Sequence, residues 1–111
     1  MSLIQEIESV DELDQIVSNE SRGVVVDVWG TWCQPCRALR PHIEELAAQH
    51  VDDWKVVAVH AESLPDLIDR YSVQSTPTLI YLHAGNEVHR STGAVTPSTI
   101  ATAMADHASV S

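Results

Sequence analysis

The feature that most constrains the fold is a pair of short, mostly apolar runs, Val24–Trp29 and Trp54–Val59. Both are rich in valine, and the first lies between two glycines, Gly23 and Gly30. Runs of this length and β-branched composition are typical of strands that are covered on both faces. Helices are needed to cover both faces of such a sheet. The sequence therefore predicts an α/β layered domain.

Capping residues, helical spacing and turns predict the remaining elements. Ser9 and Glu12 have the spacing of a capping box, which opens a first helix that ends near Gly23. The other predicted elements are an edge strand at Leu3–Ile7, a helix after Cys36 that Pro41 kinks, a helix at Pro65–Tyr71, strands at Thr78–Leu82 and Glu87–Ser91 joined by a turn at His83–Asn86, and a helix from Thr96 to about His107. Together they predict a central mixed sheet of four to five strands with helices on both faces, in one domain over residues 1–111 with a frayed end at Ser109–Ser111.

The charge balance argues against several classes of partner. The chain has 16 acidic and six basic residues, a formal net charge of −10 and no cluster of basic residues. Such a surface repels phosphate groups, so we expect neither nucleic acid nor a membrane as a partner. The segment Met1–Glu8 lacks the basic and apolar regions of a secretory signal, so we expect a cytoplasmic protein. No oligomerisation pattern is visible, and we expect a monomer.

Both cysteines of the chain lie in the segment Cys33-Gln34-Pro35-Cys36, between a predicted strand and a predicted helix. The first backbone N–H groups of a helix and its dipole stabilise an anion, and a thiolate is such an anion. We therefore expect Cys33, at the exposed entry, to be a nucleophile. Cys36 lies one turn further along and is expected to be shielded and to resolve a mixed disulfide.

Three other interpretations of the cysteine pair compete with a redox site. A structural zinc site normally needs four ligands, and the sequence has neither a second cysteine pair nor two closely spaced histidines. A purely structural disulfide would close so short a loop that it would add little stability. Two unrelated buried thiols are the third interpretation. The sequence favours the redox site and predicts no metal.

The segment Val26-Asp27-Val28-Trp29-Gly30-Thr31-Trp32-Cys33-Gln34-Pro35-Cys36 resembles the active-site segment of the thioredoxin family. The resemblance continues at Pro41, Thr76-Pro77-Thr78, Gly85 and Gly93, and it covers nearly the whole chain. It implies the thioredoxin fold and a thiol–disulfide oxidoreductase that reduces protein disulfides through a reversible Cys33–Cys36 dithiol/disulfide cycle. It also implies an NADPH-dependent thioredoxin reductase as electron donor. The chain has no nucleotide-binding glycine fingerprint, so we expect no cofactor of its own.

The resemblance also implies roles for individual residues. Asp27 would accept the proton of Cys36, and burial in an apolar strand would raise its pKa towards neutrality. The alternative is a carboxylate that faces solvent from a half-exposed strand. Pro77 would follow a cis peptide bond and face the disulfide, where an extended substrate segment pairs with the backbone of Thr76. The implied substrate-binding residues are Trp32, Gln34, Pro35, Thr76, Gly93 and Ala94.

Two positions depart from the family pattern. Gln34 replaces the usual glycine between the cysteines, and changes there alter the redox poise of the pair. A disulfide-donating or dedicated-partner redox domain therefore remains an alternative, as does a thioredoxin-like docking subunit with little turnover. Ala58 stands where the family often has a buried lysine. We therefore expect Asp27 to lack that charge partner and its pKa to be governed mostly by desolvation.

Overall fold

The protein is described by a computed structural model over residues 2–108, and the predicted frayed end at residues 109–111 lies outside that range. The elements are β1 (Ile4–Glu6), α1 (Val10–Asn19), β2 (Gly23–Trp29), α2 (Gln34–Gln49), β3 (Trp54–His60), α3 (Pro65–Arg70), β4 (Thr78–His83), β5 (Asn86–Ser91) and α4 (Pro97–Asp106). They build one five-stranded sheet in the order β1-β3-β2-β4-β5. The pairs β1–β3 and β3–β2 are parallel, and β2–β4 and β4–β5 are antiparallel. The expected mixed α/β fold is confirmed.

Side chains that alternate along the strands divide the core into two layers, one on each face of the sheet. On one face Val25 packs with side chains of α2 and α4, including Leu39, Ile43, Ile100 and Met104. On the other face Val24, Val26 and Val28 pack with side chains of α1 and α3, including Leu13 and Leu67. By the same alternation, Asp27 lies on the face that α2 and α4 cover.

A close contact between Gly23 and Trp54 fixes the start of β2 against β3. Trp54 is fully buried, and its indole Nε1 donates a hydrogen bond to the carbonyl oxygen of Met104 at 2.9 Å. A Cβ atom on Gly23 would lie 2.4 Å from the Trp54 ring. Only a residue without a side chain fits at this position, because a contact that short requires the ring to move.

The start of helix α1 was predicted more accurately than its end. The backbone N–H of Glu12 donates to Ser9 Oγ at 3.1 Å, so α1 begins where its cap was predicted. It ends at Asn19, earlier than expected. Helix α2 runs through Pro41 as one continuous element. Among residues 2–108, no helix is both long and apolar enough to cross a bilayer.

The hairpin β4–β5 turns at two residues, Ala84 and Gly85, whose φ angles of 51° and 81° are both left-handed. Two consecutive left-handed residues match the twist of antiparallel strands. The turn lies within the predicted span. The strand β2 and the parallel strand β3 end at the same edge of the sheet, where α2 begins, and this edge holds the cysteines.

Candidate active site

The two cysteines form a disulfide at the N-terminus of α2. Cys33 is the N-cap residue of the helix, and its Sγ accepts a hydrogen bond from the backbone N–H of Cys36 at 3.2 Å. Pro35 lies in the first turn, where the missing N–H of proline costs no helical hydrogen bond. After reduction, the same N–H and the helix dipole stabilise negative charge on Cys33 Sγ.

The two cysteines are similarly buried but open onto different depressions of the surface. Cys36 is shielded as expected, with 6% of its surface exposed, whereas the prediction that Cys33 lies at an exposed entry was wrong, because Cys33 is only 9% exposed. Cys33 lines a groove of about 360 Å³ together with Gly30, Trp32, Pro35, Glu62 and Thr76, here called the Cys33 groove. Cys36 lines a cleft of about 190 Å³ together with Glu6, Trp29, Arg37 and Arg40, here called the Cys36 cleft.

The Cys33 groove contains half of the residues predicted for substrate binding, namely Trp32, Pro35 and Thr76. The indole of Trp32 is 88% exposed beside Cys33. The peptide bond between Thr76 and Pro77 is cis, the isomer that the resemblance implied. Gln34, Gly93 and Ala94 are exposed, and none of them is among the lining residues of the groove. The exposed ring of Trp32 thus gives the groove an apolar contact beside the nucleophile.

Asp27 is buried in the sheet, with only 2% of its surface exposed, so it does not face solvent. Desolvation is the largest influence on its carboxyl and raises its pKa from 3.8 to about 6. The positive charge of Arg40 opposes this rise, and the negative charge of Glu6 adds to it. Arg40 Nε lies 3.7 Å from Asp27 Oδ2. As expected, Ala58 on β3 supplies no charge partner and desolvation is the main influence on the pKa of Asp27, but Arg40 on α2 is a charge partner that was not predicted.

The register of three parallel strands explains how Arg40 reaches Asp27. Glu6 on β1 is opposite Ala58 on β3, and Ala58 is opposite Asp27 on β2. The small side chain of Ala58 thus lies between two carboxylates on one face of the sheet. Arg40 extends over this row from α2 and forms an ion pair with Glu6 at 2.9 Å as well as the longer one with Asp27.

The aromatic ring of Trp29 packs against the guanidinium group of Arg40. The centroid of its ring is 5.6 Å from the guanidinium carbon of Arg40, and its indole Nε1 donates to Glu6 Oε2 at 3.3 Å. The centroid of the His60 ring lies 4.5 Å from that of the Trp29 ring. Sequence reasoning did not assign Glu6 or Arg40 to the site. A signal was present for Arg40, since it lies four residues after Cys36 and thus on the same side of α2.

The loop before the cysteines is held by side chains at the end of β3 and just after it, and by one side chain of α2. The backbone N–H of Thr31 donates to Glu62 Oε1 at 3.2 Å, and Thr31 Oγ1 is 2.7 Å from His60 Nε2. Arg37 donates to the carbonyl oxygen of Thr31. No role at the site was predicted for His60 or Glu62. Their position at the carboxyl end of a strand parallel to β2 could have indicated them, because such ends meet at one edge of the sheet.

Comparison with known sequences identifies relatives over most of the chain. The Thioredoxin family matches residues 5–106. Thioredoxin 1 of Synechococcus elongatus is 38% identical over 93 residues, which cover 84% of this chain and 87% of that protein. The M-type, chloroplastic thioredoxin of Chlamydomonas reinhardtii is 32% identical and matches over 81% of this chain and 64% of its own length.

Comparison with solved structures gives the same result for the fold. A thioredoxin of Malassezia sympodialis superposes with a TM-score of 0.87 at 25% identity, covering 98% of this chain and 94% of its own. A thioredoxin of Nicotiana alata superposes with a TM-score of 0.87 at 27% identity, covering 96% and 93% of the two chains. With its paired cysteines at the start of α2, the chain belongs to the thioredoxin family of dithiol–disulfide oxidoreductases.

Proposed function

We propose that the protein reduces disulfide bonds of other proteins by dithiol–disulfide exchange at Cys33 and Cys36. The position of Cys33 supports this proposal most directly. Its sulfur caps a helix N-terminus, where the N–H of Cys36 supports a thiolate, and the residue lines a groove beside the cis peptide bond before Pro77. A nucleophile and a surface that can bind extended chain are thus adjacent.

In the first step, the thiolate of Cys33 attacks one sulfur of the substrate disulfide. The substrate S–S bond breaks, a mixed disulfide forms, and the first substrate sulfur leaves as a thiolate that takes a proton from solvent. The backbone of Thr76 is available to pair with an extended substrate segment, in the manner of an added strand. The exposed ring of Trp32 gives that segment an apolar contact.

In the second step, Cys36 resolves the mixed disulfide. Its thiol proton passes to the Asp27 carboxylate, and the resulting thiolate attacks the sulfur of Cys33. The Cys33–Cys36 bond forms and the second substrate sulfur leaves. Two electrons have then moved from the protein to the substrate, and the oxidised pair must be reduced again.

The electron donor that we propose is an NADPH-dependent thioredoxin reductase. We also propose that the protein acts as a monomer and in the cytoplasm, where the reducing milieu returns the pair to its dithiol form. Size-exclusion chromatography tests the monomer, and cell fractionation tests the compartment. Stoichiometric oxidation of NADPH in the presence of such a reductase and of the oxidised protein tests the donor.

Trapping of the mixed disulfide tests the proposed chemistry directly. The Cys36→Ser variant should accumulate an adduct through Cys33 with insulin, because no resolving thiol remains. The matched Cys33→Ser variant, in which the other cysteine of the same pair is removed, should form little adduct. Mass spectrometry of the intact proteins reports both. An adduct that forms equally well through Cys36 would contradict the assignment of the nucleophile.

The reduction potential distinguishes the proposal from a disulfide-donating role. Equilibration with glutathione mixtures should give a reducing potential, on the order of −270 mV as in thioredoxin. A value near −120 mV, typical of strong oxidants, would favour a disulfide donor and would indicate that Gln34 changes the poise of the pair. Restoring glycine by Gln34→Gly in the same measurement isolates the effect of that side chain.

A further inference from the structure

We propose that Arg40 is a positioning residue for proton transfer at Cys36: held between Glu6 and Asp27, it keeps the Asp27 carboxylate ready to take the thiol proton and to pass it to the Cys36 cleft. The inference rests on the proposed function, because it concerns the step in which Cys36 resolves the mixed disulfide. No other residue of α2 forms an ion pair with Asp27 among the described residues.

The geometry depends on the small side chain between the two carboxylates. Neighbouring strands lie about 4.8 Å apart, so Glu6 and Asp27, one strand to either side of Ala58, are separated by about 10 Å across the sheet. A guanidinium that lies over Ala58 can reach both. A long side chain at position 58 would occupy the same space as the guanidinium.

The guanidinium is held more tightly at Glu6 than at Asp27. The distance from Arg40 Nη1 to Glu6 Oε1 is 2.9 Å, whereas Arg40 Nε is 3.7 Å from Asp27 Oδ2. Trp29 contacts both partners of the closer pair. Asp27 therefore receives only part of the stabilisation that a direct ion pair would give, and its pKa stays raised. A carboxyl that titrates near the working pH is suited both to take and to release a proton.

The surroundings of Asp27 contain few other charged or titratable groups. Glu6 faces it from β1, His60 lies on the same face of β3, Tyr81 is on β4, and Arg40 and Cys36 are on α2. The helix α4 contributes apolar side chains to this layer. Tyr81 is neutral where Asp27 titrates, because burial raises its pKa further above 10.

Asp27 does not line the Cys36 cleft, so the route from its carboxyl to solvent passes Arg40, which neighbours Asp27 and lines the cleft. Arg40 and Cys36 both line it, and its volume of about 190 Å³ has room for several water molecules. The thiol proton moves from Cys36 Sγ to an Asp27 oxygen, and after the disulfide closes it leaves to water in the cleft. Arg40 stays charged throughout and carries no proton, so it acts through its charge and hydrogen bonds.

Titration of the Asp27 carboxyl by carbon NMR, in the oxidised protein, tests the inference on the group itself. The variant Arg40→Met keeps an apolar side chain against Trp29 and removes the positive charge. It should raise the midpoint of the Asp27 titration by about one pH unit. Glu6→Gln removes the competing carboxylate and should move the midpoint down. Arg40→Lys keeps the charge and should recover at least half of the shift that Arg40→Met produces.

Arg37→Met is the matched control, because Arg37 lines the same cleft from the same helix but donates to the carbonyl oxygen of Thr31. It should shift the titration less than half as far as Arg40→Met. Circular dichroism shows whether each variant is folded. Shifts of opposite sign for the Arg40 and Glu6 variants support the inference. Equal shifts for the two arginine variants, shifts of the same sign for Arg40→Met and Glu6→Gln, or no shift would overturn it.

The pH dependence of mixed-disulfide resolution links the titration to the reaction. At pH 6 the ionised fraction of Asp27 would fall from about one half to about one tenth in Arg40→Met, so resolution should slow about fivefold there and little at pH 8. An equal slowing at both pH values would indicate a structural defect and contradict the positioning role. The titration needs no turnover. It therefore tests the effect of Arg40 on Asp27 even if the protein does not reduce disulfides.

Discussion

Replacing Asp27 by asparagine should make the oxidised protein more stable at neutral pH. The pKa of the carboxyl is about 6 in the folded protein and 3.8 in its ordinary state, because burial disfavours the charged form. The protonated carboxyl therefore contributes to the free energy of unfolding. This contribution is fully present below pH 3.8 and is lost as the pH rises through 6. A tenfold change in an equilibrium constant is worth about 1.4 kcal/mol, so the loss amounts to about 3 kcal/mol at pH 7.

Guanidinium chloride unfolding, followed by tryptophan fluorescence at several pH values between about 4 and 8, measures this difference. The free energy of unfolding of Asp27→Asn should equal that of the unmodified protein near pH 4 and exceed it by about 3 kcal/mol above pH 7. The control is Asp69→Asn, which changes an exposed aspartate on α3 and should have an effect below about 0.5 kcal/mol throughout. A difference that does not change with pH would contradict a raised pKa of the Asp27 carboxyl in the folded protein.

Three further predictions concern the reaction, the groove and the core. Turnover with insulin should fall as the pH drops through about 6, because Asp27 must be ionised to accept a proton, and Asp27→Asn should slow turnover and remove this dependence. Trp32→Ala should raise the KM for protein disulfides several-fold, since the ring is 88% exposed in the Cys33 groove, whereas the rate with a small aromatic disulfide should change little. An equal loss of activity with both substrates would contradict a role of Trp32 in substrate docking. Gly23→Ala should lower the free energy of unfolding by about 1–3 kcal/mol, because the new Cβ would lie 2.4 Å from the Trp54 ring, and an unchanged denaturation midpoint would show that the ring moves freely.

The parts of the fold that follow from local pattern could be predicted from the sequence. The valine run of β2 is buried on both faces, as its composition required, and Ser9 and Thr96 cap the helices they were predicted to cap. Such signals depend on residues that are close together in the chain. The end of α1 was predicted too late, because no left-handed glycine or proline marks it and the chain leaves the helix at Glu20 in an extended conformation.

The charge environment of Asp27 could not be predicted, because it depends on register between strands. Ala58 was correctly recognised as unable to supply a charge, but the position of Glu6 depends on how β1 pairs with β3, and Arg40 approaches from a third element. Hydrophobic spacing identifies the buried face of α2 and does not show which long side chain can extend over a small one. The similar burial of the two cysteines likewise depends on the packing of a loop that no local pattern describes.

The most direct test of the central claim is the rate at which the protein reduces insulin disulfides with dithiothreitol as electron donor. We expect catalytic turnover by the unmodified protein and a rate at the uncatalysed background for Cys33→Ser, because Cys36 lines a different cleft and cannot replace the nucleophile at the groove. A protein without turnover, or a Cys33→Ser variant that reduces insulin as fast as the unmodified protein, would contradict the claim that a Cys33–Cys36 cycle is the activity of this chain.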